Sequence, residues 1–176
     1  IMGFGRIGQR VGALCRALGL RVAAFDPYME RSPVEGVEMV KDFRAILPET
    51  DFLCLHLPST PETRDLIGAG ELALLKRGAF VLNCARGGIV DEDVLCDALE
   101  SGHLGGAGLD VFAKEPPDTA HRLFRQEKVL LSPHNAALTE ECAIRMATQA
   151  VQNVLDCLDG KLQPRVVMNR REIGMA

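Results

Sequence analysis

The stretch IMGFGRIGQRVG, residues 1–12, decides how this sequence is interpreted. Gly3, Gly5 and Gly8 follow the spacing G-x-G-x-x-G. In such a stretch the first glycine permits a tight turn, the second lets a ligand approach the backbone, and the third lets a helix pack closely on a strand. Alone the spacing is weak, because glycine-rich turns without a ligand are common. It predicts a strand that turns sharply into a helix.

Apolar runs and helical patterns alternate along the rest of the chain. The runs are nearly continuous, as in parallel strands covered on both faces, and lie at 21–25, 51–57, 79–83, 106–112 and 128–132. Helical periodicity covers 8–18, 91–102 and 139–160, with Asp91 and Thr139 at helix starts and Gly102 and Gly160 at helix ends. Strands alternating with helices predict an α/β fold with a doubly wound parallel sheet.

The first strand is expected to be truncated. Parallel strands usually run about five residues, yet only Ile1 and Met2 precede Gly3. We therefore expect the chain to be part of a longer enzyme. Within it we predict one domain over residues 1–160 and a tail over 161–176 that leads back to an absent substrate domain.

The composition excludes several functional classes. Lys and Arg total 20 against 24 Asp and Glu, a formal charge of -4, and no basic run predicts a nucleic-acid or anionic-membrane surface. No apolar run approaches the length of a membrane span, and no signal peptide is visible. Six cysteines lie scattered without a CxxC pair, mostly in apolar runs. They predict buried free thiols in a reducing cytoplasm and no metal site.

Asp26 supports a dinucleotide ligand at the glycine turn. It ends the next apolar run, 18 residues after Gly8, where a carboxylate accepts hydrogen bonds from an adenosine ribose. A negative charge there would repel the 2′-phosphate of NADP, so NAD is the predicted cofactor. The alternative is that Asp26, followed by a proline, is an ordinary turn residue.

Three chemically capable side chains follow the ends of predicted strands. Arg86 can hold a carboxylate through two parallel hydrogen bonds. His134 can donate or accept a proton, with Glu115 bonded to its second ring nitrogen to fix the tautomer and favour the imidazolium. Each has a simpler interpretation: a solvated loop arginine, an exposed loop glutamate and a structural histidine. Their joint occurrence at the carboxyl ends of strands, beside the glycine turn, favours catalysis.

Five stretches together resemble the NAD-dependent D-isomer-specific 2-hydroxyacid dehydrogenases. This family includes phosphoglycerate dehydrogenase, hydroxypyruvate and glyoxylate reductases, D-lactate dehydrogenase and the C-terminal-binding-protein corepressors. The resemblance covers most of the chain, in order, and rests on GFGRIGQRV (3–11), HLPSTPETRDLI (56–67), LNCARGGIVDEDVL (82–95), GAGLDVFAKEPP (106–117) and SPHNAALT (132–139).

The resemblance implies a Rossmann domain that transfers a hydride between NAD(H) and a small 2-hydroxy or 2-keto acid. It implies a cytoplasmic homodimer formed through this domain, and catalytic roles for Arg86, Glu115 and His134. It also implies cofactor contacts: the pyrophosphate on Arg6 and Ile7, the nicotinamide carboxamide on Asp110, and a cleft lined by Leu57, Pro58, Thr63, Cys84 and Ala85.

Two alternatives and two departures from the family pattern accompany this interpretation. The motifs also suit a NAD-sensing corepressor-like module whose output is partner binding, or a nucleotide-binding module without chemistry. Where the family usually has PHIAG or PHxGG, this chain has PHNAA. Asn135 and Ala136 therefore depart from the family pattern beside His134. Because the substrate domain is absent, we expect the chain alone to be inactive.

Overall fold

The structure, a computed structural model, describes residues 1–170 and 172–174. These residues belong to two compact units, Ile1–His134 and Asn135–Ala176. The division predicted at residue 160 stays a prediction. Part of the predicted tail, namely Arg171, Met175 and Ala176, lies outside the described residues.

The first unit is built on parallel strands. They are β1 (Val22–Ala24), β2 (Val37–Met39), β3 (Phe52–Leu55), β4 (Phe80–Asn83), β5 (Gly106–Leu109) and β6 (Val129–Leu131). β1 pairs with β2, and β3 to β6 pair in sequence order. Met2 bridges Phe25 and Leu55 in parallel, so the start of the chain lies between β1 and β3. β1 and β2 therefore lie on one side of Met2, and β3 to β6 lie on the other. The strand order reverses at Met2.

Helices connect these strands. In the first unit α1 spans Arg6–Ala17, α2 spans Ala69–Leu74 and α3 spans Glu92–Glu100. Asp91 caps α3 by accepting hydrogen bonds from the backbone N–H groups of Asp93 and Val94. Short 3₁₀ turns occur at Phe43–Glu49 and Arg122–Arg125.

The second unit contains α4 (Glu140–Leu158) and a 3₁₀ turn at Pro164–Val166. The Thr139 side chain accepts a hydrogen bond from the backbone N–H of Cys142, which caps α4 as its sequence predicts. Gly160 has a φ of 69°, the left-handed conformation that ends helices.

Two apolar clusters hold the first unit together. The larger one lies around β3, β4 and β5 and includes Leu55, Val81 and Leu95. The smaller one, around β1 and β2, contains Phe4, Val22, Ala24 and Val37. Phe4 belongs to the glycine turn itself and is completely buried. Its side chain therefore anchors the turn in the smaller apolar cluster.

The predicted doubly wound α/β fold is confirmed, with corrections in detail. β2 and α2 were not predicted, because three and six residues are too few to show a period. The runs predicted at 51–57 and 106–112 end as strands at Leu55 and Leu109, since the residues beyond them form loops. In addition, α1 starts at Arg6, two residues earlier than predicted.

The cysteine prediction is partly wrong. All six thiols are free, but only Cys96 is buried, while Cys84 and Cys157 are exposed. An apolar neighbourhood in sequence does not bury a residue that follows a strand or faces outward on a helix. Among the described residues, no helix combines the length and the apolar character that a membrane span requires.

Candidate active site

The glycine turn connects the start of the sheet to α1. Gly3 has a φ of 82°, and a side chain there would strike the backbone carbonyl of His56. A side chain on Gly8 would strike the carbonyl oxygen of Gly3. Both positions therefore require glycine for the turn and the close approach of helix to strand.

Gly5 differs from the other two glycines because a Cβ atom there would meet open space. It is the N-cap residue of α1 and has no side chain with which to cap the first N–H groups of the helix. The first turn of α1 contains no acidic residue, and Ile7 in that turn is 67% exposed. Free amide groups at the positive end of a helix form a site for an anion.

Asp26 lies two residues after the end of β1 and contacts the glycine turn. Its Oδ2 accepts a hydrogen bond from the backbone N–H of Phe4 at 2.9 Å, and its Oδ1 accepts one from Tyr28 at 2.9 Å. Each carboxylate oxygen has two lone pairs, so both keep capacity for a ligand hydroxyl. Asp26 is thus both a turn residue and a candidate ligand.

The loop after β3 borders the glycine turn. His56 donates its backbone N–H to Met2, and burial lowers the pKa of its ring. Further along, the Thr63 hydroxyl donates to the Pro58 carbonyl at 2.7 Å and accepts from the Thr60 N–H at 2.7 Å. Thr63 therefore closes this loop, with Leu57 half-buried and Pro58 exposed.

Arg86 lies in the loop that follows β4. The side chain is exposed, and its Nη1 donates to the Ala85 carbonyl at 2.6 Å. Asn83, the last residue of β4, is buried and bonds to the same loop: its Oδ1 accepts from the Ala85 N–H at 3.0 Å, and its Nδ2 donates to the Arg86 carbonyl at 2.9 Å.

Gly87 joins the Arg86 loop to the loop that follows β5. A side chain on Gly87 would collide with the backbone carbonyl of Phe112. The two backbones therefore touch, and only glycine allows that approach. Phe112 in turn donates its N–H to Oε1 of Glu115 at 3.0 Å, so the loop that carries Arg86 packs on the segment that holds Glu115.

Glu115 and His134 form a hydrogen-bonded pair. Oε2 of Glu115 lies 2.8 Å from Nδ1 of His134. The bond to His134, followed by the N–H of Phe112, lowers the pKa of Glu115, so this carboxyl is ionised at neutral pH. With Nδ1 occupied, Nε2 of His134 is the ring nitrogen available for proton transfer. His134 has a φ of 53°, an uncommon conformation for a residue other than glycine.

Asp110 is a buried carboxylate at this edge, unlike the exposed Glu115. It is 3% exposed and accepts a hydrogen bond from the hydroxyl of Ser132, which follows β6. Burial, followed by the charge of Asp110, raises the pKa of the nearby Cys84 thiol. Because β3 to β6 run parallel, their carboxyl ends bring Arg86, Asp110 and the Glu115–His134 pair to the same edge as the glycine turn.

A comparison with protein families identifies this arrangement. Residues 1–136 match the family described as D-isomer specific 2-hydroxyacid dehydrogenase, NAD binding domain. The chain belongs to this 2-hydroxyacid dehydrogenase family. The match includes the glycine turn, Asp26, Arg86, Glu115 and His134.

Individual members of the 2-hydroxyacid dehydrogenase family are similar over nearly the whole chain. A D-3-phosphoglycerate dehydrogenase of Methanocaldococcus jannaschii is 40% identical over 169 residues, which are 95% of this chain and 32% of that protein. A glyoxylate reductase of Aeropyrum pernix is 41% identical over 172 residues, 95% of this chain and 50% of the reductase. The chain thus spans half or less of the length of these relatives.

Solved structures of the 2-hydroxyacid dehydrogenase family share the fold. The NAD-complexed D-isomer specific 2-hydroxyacid dehydrogenase of Lactobacillus delbrueckii ssp. bulgaricus aligns with a TM-score of 0.84 at 31% identity, covering 96% of this chain and 55% of that one. The site present here fits such a dinucleotide: Gly5 leaves open space, the first turn of α1 offers free N–H groups, and Asp26 keeps acceptor capacity.

Sequence reasoning missed the residues that hold this dehydrogenase site together. They are Asn83, Gly87, Phe112 and Ser132. The role of Asn83 could have been predicted from the sequence, because an asparagine that ends an apolar strand commonly bonds to the backbone two residues further on. The contact between Gly87 and Phe112 joins different loops and has no signal in the sequence.

Proposed function

We propose that the whole protein is a NAD-dependent oxidoreductase that interconverts a small D-2-hydroxy acid and the corresponding 2-keto acid. The chain matches only part of its relatives, so this activity is assigned to the whole protein rather than to the 176 residues alone. The single observation that carries the proposal is the bonded pair of Glu115 and His134, on the same sheet edge as a dinucleotide turn.

The proposed cofactor contacts lie along the edge of the sheet where the parallel strands have their carboxyl ends. The pyrophosphate is held at the start of α1, and the adenosine ribose by the carboxylate of Asp26. Asp110 accepts a hydrogen bond from the nicotinamide carboxamide. The full proposed set comprises Gly3, Gly5, Arg6, Ile7, Gly8, Asp26, Leu57, Pro58, Thr63, Cys84, Ala85 and Asp110. When bound, the cofactor accepts or supplies the hydride at C2 of the substrate.

The protein side chains handle the charge and the proton. The guanidinium of Arg86 binds the substrate carboxylate through two parallel hydrogen bonds, which orients the 2-keto group. Nε2 of His134 gives a proton to the keto oxygen during reduction and removes it from the hydroxyl during oxidation. The ionised carboxylate of Glu115 holds Nδ1 in its N–H form, which leaves Nε2 for the transferred proton.

The names of the relatives indicate the substrate class. Relatives called D-3-phosphoglycerate dehydrogenase and glyoxylate reductase support a short 2-hydroxy or 2-keto acid. Selection among such acids is assigned to the part of the relatives that the chain does not cover. The same names favour catalysis over the corepressor-like alternative, which has the same motifs.

The test is NADH oxidation by the whole protein with glyoxylate, hydroxypyruvate, 3-phosphohydroxypyruvate and pyruvate. We expect at least one of them to be reduced, and His134→Ala to lower kcat by roughly 10²- to 10⁴-fold. Lys114→Ala, an exposed change in the same loop as Glu115, is the matched control and should leave the rate unchanged. A kcat for His134→Ala equal to that of the wild type would overturn the assignment.

We also propose that the protein works in the cytoplasm as a homodimer. All six cysteines are free, which suits a reducing compartment. Exposed apolar side chains of α4, including Ile144, Val151 and Leu158, offer surface for association. Sedimentation of the whole protein measures the oligomeric state, and a monomer at micromolar concentration would contradict the proposal.

A further inference from the structure

Two polar side chains are buried in the described part of the chain, and both lie at the catalytic edge of the sheet. They are Asn83, 2% exposed at the end of β4, and Asp110, 3% exposed just after β5. The proposed reaction gives Asp110 a role, whereas Asn83 has none. A buried amide must have its hydrogen bonds satisfied, so the partners of Asn83 show what it does.

Both ends of the Asn83 amide bond to the loop that carries Arg86. Oδ1 accepts from the Ala85 N–H at 3.0 Å, and Nδ2 donates to the Arg86 carbonyl at 2.9 Å. One side chain thus acts as acceptor and donor to two different peptide groups. Aspartate lacks the donor and serine lacks the amide geometry, so only asparagine has both functions at this length.

The peptide group between these two is the one that contacts the guanidinium. Its oxygen, the carbonyl of Ala85, accepts the hydrogen bond from Nη1 of Arg86 at 2.6 Å. Asn83 therefore fixes the backbone on both sides of the group that orients the arginine side chain. Arg86 is exposed, and an exposed arginine has many rotamers, so this restraint reduces the conformational entropy lost when it binds a ligand.

Asn83 also connects this loop to the next one. Its backbone carbonyl accepts the N–H of Asp110 at 3.0 Å. This bond does not involve the side chain, so a substitution at Asn83 acts on the Arg86 loop and leaves the link to Asp110 in place. A substitution of the Asn83 side chain should therefore affect substrate binding through Arg86 and leave cofactor binding through Asp110 unaffected.

We propose that Asn83 is a positioning residue, which sets the guanidinium of Arg86 for recognition of the substrate carboxylate without touching the substrate. This inference rests on the proposed function. It predicts that the Asn83 side chain contributes to the KM for a 2-keto acid and hardly to the affinity for NADH. Its contribution should depend on Arg86 being present.

The kinetic test uses Asn83→Ala and Asn83→Ser in the whole protein. Misplacement of a substrate-binding group costs up to about 100-fold, so we expect KM to rise roughly 10- to 100-fold in Asn83→Ala. The rise should be smaller in Asn83→Ser, whose hydroxyl can still accept from Ala85. The NADH dissociation constant should change by less than about twofold, since Asn83 acts on the loop rather than on the cofactor. Val81→Ala, a buried change in the same strand, controls for lost stability and should leave KM unchanged.

A double-mutant cycle decides whether Asn83 acts through Arg86. In an Arg86→Ala background, Asn83→Ala should cause no further loss of kcat/KM. If the two losses multiply instead, Asn83 acts independently and the inference is overturned, while the proposed function stands. If the whole protein reduces no 2-keto acid, the proposed function falls and this inference falls with it.

Hydrogen exchange in the 176-residue chain gives a readout that does not depend on activity. The Ala85 amide should exchange at least tenfold faster in Asn83→Ala than in Val81→Ala, compared at equal stability, while the Asp110 amide stays protected in both. An unchanged Ala85 amide would overturn the inference, because the loop would then be held by other contacts.

Discussion

Glu115 bonds through its two carboxylate oxygens to two different partners: Oε2 lies 2.8 Å from Nδ1 of His134, and Oε1 accepts the N–H of Phe112 at 3.0 Å. These two bonds hold the pKa of Glu115 below its usual value of 4.5. Phe112 also touches Gly87 of the Arg86 loop. The segment around Phe112 thus connects the proton-transfer pair with the proposed carboxylate-binding arginine.

Replacing the carboxylate of Glu115 by an amide should slow the proposed reaction in both directions. The carboxylate accepts from Nδ1 of His134 and so keeps Nε2 as the ring nitrogen for proton transfer. An amide can offer Nδ1 either its oxygen or its N–H group, so the ring tautomer is no longer fixed. In Glu115→Gln the kcat/KM of the whole protein should therefore fall, by at most the roughly 10²- to 10⁴-fold that a lost acid–base group costs. Rates equal to those of the wild type, measured as NADH oxidation and as NAD⁺ reduction, would mean that Glu115 is only a loop residue.

The same pair should make stability depend on pH in the acid range. A carboxyl whose pKa is lower in the folded than in the unfolded chain stabilises above its unfolded value, here 4.5. That stabilisation is lost as the pH falls through the folded value. Between pH 7 and pH 3 the melting temperature of the 176-residue chain should therefore fall more in the wild type than in Glu115→Gln. Parallel curves for the two proteins would contradict the pairing.

Gly5 and Gly8 should respond differently to alanine. A methyl group on Gly5 meets open space, whereas one on Gly8 strikes the Gly3 carbonyl. Gly5→Ala should keep the melting temperature of the chain and weaken NADH binding by the whole protein, because the methyl occupies space needed by the pyrophosphate. Gly8→Ala should lower the melting temperature itself. Undiminished NADH affinity in Gly5→Ala would exclude the turn as the pyrophosphate site.

Asp26→Ala should weaken NADH binding and narrow the preference for NADH over NADPH. A hydrogen bond to a charged group contributes about 1.5–3 kcal/mol, so the NADH dissociation constant should rise roughly 10- to 150-fold. Asp42→Ala is the matched control, since Asp42 also accepts a backbone N–H, that of Arg44, but is not one of the proposed cofactor contacts. Calorimetry that finds NADH and NADPH bound equally well by the wild type would refute the ribose assignment.

The thiols should report on the cofactor cleft. Burial raises the pKa of Cys96 to about 11, so this thiol should resist alkylation at pH 8. Exposed Cys157 should react first, and Cys84 more slowly because its pKa is also raised. NADH should slow the labelling of Cys84 in the whole protein and leave Cys157 unaffected, as peptide mass spectrometry can measure. Equal labelling of Cys84 with and without NADH would mean that Cys84 does not line the cofactor cleft.

Local features of the sequence predicted most of the regular structure. Asp91 and Thr139 cap their helices as predicted, because a cap bonds to residues two or three positions further on. Five of the six strands in the first unit appear as apolar runs in the sequence. The exception is β2, Val37–Met39, whose pairing with β1 depends on a partner and not on its own pattern.

By itself the sequence determined most of the strands and helices, the glycine turn and the side chains capable of chemistry, because short-range sterics and apolar periodicity act between neighbours in the chain. Only the tertiary structure decided how the loops fit together. Glu115 meets His134 across 19 positions, Gly87 packs on Phe112, and Asp110 bonds to Ser132. Such contacts arise where parallel strands end side by side, and their geometry depends on the register of the whole sheet rather than on any one segment.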